Sequence, residues 1–111
     1  MDAPRIDFIW WAECPSWERA LALLRERLAA AGLDRESVVI TEVTTDEQAA
    51  NLEFPGSPTI RVNGVDVQAP RENATGLSCR VYRTRDGRIS PLPDPADIDD
   101  ALAHLAGEEP L

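Results

Sequence analysis

The chain has 111 residues, 43% apolar and 28% charged, which fits one domain over 1–111 with a modest core and excludes a disordered polymer. A net charge of −9 argues against nucleic acid and an anionic membrane surface as partners. No apolar run reaches the length of a membrane span, and MDAPRIDF lacks the basic-then-apolar pattern of a leader, so the expected compartment is the cytoplasm.

RIDFIWW (5–11) is β-branched and aromatic and predicts a buried strand. Over 15–31, Trp17, Leu21, Leu24 and Leu28 recur at spacings of four, three and four, one apolar helical stripe. Pro15 suits the first helical position and Gly32 the stop. SVVITEV (37–43) predicts a second strand, and DEQAANLEF (46–54) a short helix. PTIRV (58–62) predicts a third strand, Asn63-Gly64 a tight turn, and VDV (65–67) the return. A polar loop covers 69–76. LSCRVYRT (77–84) predicts another strand, with Leu77, Cys79 and Val81 on one apolar face and Ser78, Arg80 and Tyr82 on the other. Asp86-Gly87 marks a turn. DPADIDDALAHLA (94–106) predicts a closing amphipathic helix, capped by Asp94, with Ile98, Ala101, Leu102 and Leu105 inward. The tail GEEPL is expected to fray.

The order is β-α-β-α-β-β-α. The fold class expected is α/β, a small mixed sheet with helices on both faces, because the first two strands need a crossover helix to run parallel.

The chain has two cysteines, too few for a disulfide framework. In a reducing compartment such a pair is more often catalytic, redox-active or metal-binding than structural. Cys14 stands at the expected start of the first helix, where unpaired N–H groups and the helix dipole favour thiolate over thiol. Neighbouring Glu13 and Glu18 push the other way. Its alternative role is that of a small buried apolar residue. Cys79, on the apolar face of its predicted strand, is equally readable as a buried structural residue or a partner thiol. No cofactor is expected. The single histidine, His104, lies off the apolar stripe of the last helix, so a His/Cys zinc site lacks material. Asp94, Asp97, Asp99 and Asp100 read as helix-cap chemistry, since the spacing of a calcium loop is missing. The Asn73-Ala74-Thr75 sequon carries no role in the cytoplasm.

DFIWWAEC, a strand ending in aromatics with a cysteine opening a helix, resembles the start of a thioredoxin-like domain. FPGSPTIRVNG (54–64) resembles that fold's second mark, where a proline, usually cis, opens a strand beside the reactive cysteine; here it is Pro58 after Ser57. The resemblance implies Cys14 and Cys79 as the reacting groups. It implies Trp11, Trp17, Ser57, Pro58 and Thr59 as the substrate-binding surroundings. The chain departs from thioredoxin at Cys14-Pro15-Ser16-Trp17, where tryptophan replaces the second cysteine of C-x-x-C. Weak dithiol reductase activity is therefore expected. Asp7 stands one residue too far from Cys14 to be the acid that lies beneath the thioredoxin cysteine, and one residue along a strand reverses the face.

CPSW, FPGSPTIRVNGVDV and GLSCRVYRTRDG, in that order, also resemble short bacterial thioredoxin-like proteins labelled alkylmercury lyase-like. Organomercurial lyases pair a cysteine with a distant second cysteine and carry an aspartate three positions after the first; Trp17 stands at that place here. The function implied is thiol–disulfide exchange, or thiolate capture of metals and electrophiles, at Cys14. The first alternative is cleavage of carbon–mercury bonds by Cys14 and Cys79, with Glu13 or Glu18 as acid. The second is a binding module without catalysis. The partners implied are a small thiol, an organomercurial or a protein disulfide.

Overall fold

The computed structural model describes residues 4–70 and 75–105, without side chains at 104 and 105. The sequon's Asn73 and Ala74, the side chains of His104 and Leu105, and the tail lie outside it.

The elements are β1 (Ile6–Trp10), α1 (Trp17–Ala30), β2 (Val38–Glu42), α2 (Asp46–Asn51), β3 (Thr59–Val62), β4 (Val65–Asp66), β5 (Tyr82–Arg83), β6 (Ile89–Ser90) and α3 (Pro95–Leu105). The main sheet has the order β2-β1-β3-β4. β1 runs parallel to β2, with Phe8 opposite Ile40, and antiparallel to β3, with Phe8 opposite Ile60. β3 and β4 form a hairpin through Asn63 and Gly64, both at positive φ, the backbone that an Asn-Gly pair tolerates.

Alternation along β1 divides the core. Ile6 and Phe8 join Ala20, Leu24 and Leu28 of α1 and Ile98 and Leu102 of α3. Ile9 points the other way, to Val43, Ala49 of α2, and Phe54. Each fully buried Leu, Ile or Phe contributes about 1.5–3 kcal/mol through removal of apolar surface from water. α1 ends as its glycine predicts. Gly32 takes φ +79, and the N–H groups of Gly32 and Leu33 donate to the carbonyls of Ala29 and Leu28. α2 carries a capping box between Thr45 and Gln48.

Three expectations are corrected. First, α1 begins at Trp17 with Ser16 as its N-cap, so Pro15 precedes the helix and Cys14 lies two residues before the cap. Second, 77–84 is not one strand in the main sheet. Only Tyr82–Arg83 pair, with Ile89–Ser90, in a separate two-stranded sheet, while Cys79 makes an isolated parallel bridge to Ser57. The burial parity of this segment is also the reverse of its pattern: Arg80 and Tyr82 are buried, Cys79 is exposed, and Val81 is 62% exposed. Third, of the four aspartates only Asp94 caps α3, accepting from the Ala96 N–H at 2.9 Å. Asp97 and Asp100 hold Arg85, and Asp99 holds Arg27.

Among the described residues no helix is long and apolar enough to cross a membrane.

Candidate functional site

The site forms where β1 gives out. The Trp10 carbonyl still accepts from Val43, and the next residue leaves the sheet. The Trp11 N–H donates to Ser57 Oγ at 3.0 Å. A tight turn follows, closed by the Cys14 N–H to the Trp11 carbonyl at 3.0 Å. The turn drops the Cys14 side chain inward, to 1% exposure.

Among the described residues two groups hydrogen-bond to the sulfur directly. Ser16 Oγ lies 3.3 Å away, and the thiol donates to the Ser57 carbonyl at 3.4 Å. Serine is a favoured N-cap because its hydroxyl usually accepts from the first helical turn. At Ser16 the backbone (φ −107, ψ 3) does not allow this, and no side-chain cap forms. Its buried hydroxyl is left for the sulfur. Ser16 was not among the residues singled out above, and its one sequence signal is a serine between Pro15 and Trp17 within reach of a thiol.

Burial alone would push the Cys14 thiol up, but hydrogen bonds outweigh it. The Ser16 hydroxyl, the Ser57 hydroxyl, the Ser16 backbone N–H and the Cys79 side chain together bring the thiol below its ordinary value. The support is thus mainly two hydroxyls rather than the helix terminus expected from the sequence. The Ser57 carbonyl acts the other way, since it accepts only from the protonated thiol.

Ser57 is the hub. Its hydroxyl holds Trp11; its N–H donates to the Ser78 carbonyl at 2.8 Å; its carbonyl accepts from the Arg80 N–H at 2.8 Å. These bonds lay residues 78–80 along the loop and set Cys79 beside Ser57, the residue whose carbonyl the Cys14 thiol contacts. The Ser57–Pro58 bond is cis. Both cysteines are free. Burial around the sulfur, then the charge and hydrogen bond of Cys14, push the Cys79 thiol above its ordinary value.

The approach of 78–80 depends on Gly56. A Cβ there would sit 3.1 Å from Arg80 Cβ and 3.2 Å from its Cα, and the glycine holds φ +134. Arg80 anchors the segment from the other side. Its guanidinium pairs with Asp66 at 2.7 Å, bonds the Gln68 carbonyl, and lies 4.3 Å over the Tyr82 ring. Tyr82 in turn donates its hydroxyl to the Pro58 carbonyl at 2.6 Å, and burial pushes its phenol up.

The structure therefore brings Cys14, Ser57, Pro58 and Cys79 together. Thr59 is fully buried beneath them, donating to the Gly56 carbonyl and accepting from Arg80, so its hydroxyl serves the scaffold and is not open to a substrate. Trp11 and Trp17 flank the turn on opposite sides. Trp11 packs on the smaller core cluster, while Trp17 packs on the larger one and stacks against Trp10 with centroids 4.2 Å apart. Asp7 is committed to Arg5 at 3.0 Å. Among the described residues no set of three or more His, Cys, Asp or Glu side chains is placed to hold a metal ion.

Comparison with known proteins finds no matching family model, no matching curated relative and no matching solved structure.

Proposed function

We propose that the chain is a thioredoxin-like cytoplasmic thiol protein in which Cys14 and Cys79 act as one redox pair. The observation that carries this reading is that two free cysteines meet at one residue, Ser57, whose carbonyl accepts from the Cys14 thiol at 3.4 Å and whose backbone bridges Cys79. The sheet order β2-β1-β3-β4, with β3 antiparallel to both neighbours, supports the thioredoxin-like assignment. Trp17 removes the resolving thiol of a C-x-x-C site, and Cys79 supplies a second sulfur from a distant segment of the sequence. The chemistry is thiol–disulfide exchange with a small thiol or a protein disulfide. The same sulfurs can capture a soft metal or an electrophile.

The lyase alternative needs an acid to protonate the leaving carbon. Glu13 and Glu18 are both exposed while Cys14 is buried, and among the described residues the hydrogen-bond partners of its sulfur are Ser16 and Ser57, not a carboxylate. The exchange reading is favoured on that ground.

The test is catalysed exchange between a small disulfide and a protein thiol, run beside hydrocarbon release from an organomercurial, on wild type, Cys14→Ser and Cys79→Ser. Exchange that is lost in both variants supports the pair. Hydrocarbon release that depends on both cysteines selects the lyase. Variants indistinguishable from wild type in both assays select the binding module.

A further inference from the structure

The two sulfurs are unequal in a way that assigns them different roles. Cys14 is 1% exposed, and its sulfur faces Ser16 Oγ and the Ser57 carbonyl. Cys79 is exposed and lines a cleft of about 440 Å³ with Pro55, Ala69, Pro70, Val81 and Ile89. Cys14 is not among the residues lining that cleft. Attack on a disulfide requires the incoming sulfur to reach one sulfur and the other to leave with the electron pair. A reagent approaching through the cleft meets Cys79, and a charge leaving on Cys14 falls beside the Ser16 hydroxyl.

We propose that in the oxidised protein an incoming thiolate attacks the Cys79 sulfur and displaces Cys14, so that the chain works as a disulfide donor with Cys79 as its point of entry. This rests on the reading of the two cysteines as a redox pair. In the first step a bond forms between the substrate sulfur and Cys79 Sγ, the Cys79–Cys14 sulfur bond breaks, and its electron pair stays on Cys14 Sγ. In the second step another substrate thiolate attacks the substrate sulfur of the mixed disulfide and releases Cys79 as thiolate. Two substrate thiols become one disulfide, and the pair gains the two electrons. The protons those thiols lose go to solvent and to Cys79, whose thiol holds its proton the more firmly of the two. The pair is re-oxidised by exchange with a low-molecular-weight disulfide, which leaves as two thiols. The lowered Cys14 thiol agrees with this direction, because a more acidic thiol is the better leaving group and its stabilised reduced form makes the disulfide more oxidising.

The direction of opening is readable in wild-type protein, with no variant that could fail to fold. The oxidised protein is mixed with glutathione, quenched in acid within the first turnover, and denatured. Free thiols are then blocked with a maleimide at low pH, and the peptides are mapped by mass spectrometry. The expected result is glutathione on Cys79 and maleimide on Cys14, in excess of the reverse pattern by at least about tenfold. Equal amounts, or glutathione mainly on Cys14, overturn the assignment while leaving the redox pair intact. Failure of the two cysteines to form a disulfide in the first place removes the pair itself, and the assignment with it.

Discussion

The protonated Cys14 thiol donates to the Ser57 carbonyl across 3.4 Å, and that same carbonyl accepts the Arg80 N–H from the segment bearing Cys79. One buried residue thus touches both halves of the site. When Cys14 ionises it loses the carbonyl as a partner and keeps the Ser16 hydroxyl, 3.3 Å away.

The Ser16 hydroxyl is expected to set where Cys14 titrates. With ¹³C-labelled cysteine, NMR titration should place Cys14 below and Cys79 above the ordinary thiol value of about 8.5. Ser16→Ala should move Cys14 upward, since burial then acts with less opposition. An unchanged Cys14 titration in Ser16→Ala would show that the hydroxyl is a bystander.

Gly56→Ala should loosen the site from beneath. The added Cβ meets backbone and Cβ of Arg80, and φ +134 is unfavourable for any L side chain. The expected cost is about 1–3 kcal/mol in urea unfolding, with slower closure of the Cys14–Cys79 disulfide. Wild-type stability together with a wild-type closure rate would contradict the tight approach.

Asp66→Ala should be among the more damaging single changes. It leaves the Arg80 guanidinium, 6% exposed, without its carboxylate, a loss of about 3–5 kcal/mol for a buried pair broken on one side. The exposed pair Arg88–Asp86 serves as the control, since solvent screens it and Asp86→Ala should change stability far less than Asp66→Ala. Equal effects from the two substitutions would remove Arg80 from its anchoring role.

Much of this frame was legible in the sequence. The strand expected over 5–11, found at Ile6–Trp10, follows from its β-branched and aromatic run, and the stop at Gly32, the Asn63-Gly64 hairpin and the Asp94 cap follow from local rules that local hydrogen bonds and backbone angles carry out. The proximity of the two cysteines was not legible, because it rests on three bonds of Ser57 to residues distant in sequence. The face of residues 77–82 was misread for a related reason. Period-two alternation assigns faces only within a regular ladder, and here a single bridge to Ser57 and the pull of Asp66 on Arg80 decide which side chains turn inward. Ser16 was passed over because its role depends on a backbone that forbids ordinary capping.

Stability should depend on pH with opposite signs at the two thiols. Cys14 titrates below its unfolded value, so its contribution is fully present above the unfolded thiol value and is lost as pH falls through the folded one. Cys79 titrates above its unfolded value, so its contribution is present below the unfolded value and is lost as pH rises through the folded one. Cys79→Ser isolates the first effect. Its stability relative to the double serine variant should increase as pH rises toward about 8.5. A flat or falling difference would contradict the lowered thiol.

The central claim is that Cys14 and Cys79 react with each other. The most direct measurement is the mass and peptide map of wild-type protein treated with a small excess of a low-molecular-weight disulfide at low protein concentration. The account predicts a monomer lighter by two hydrogens, with Cys14 and Cys79 in one cross-linked peptide and no retained reagent. A monomer carrying the reagent separately on each cysteine, with no cross-link between them, would contradict it.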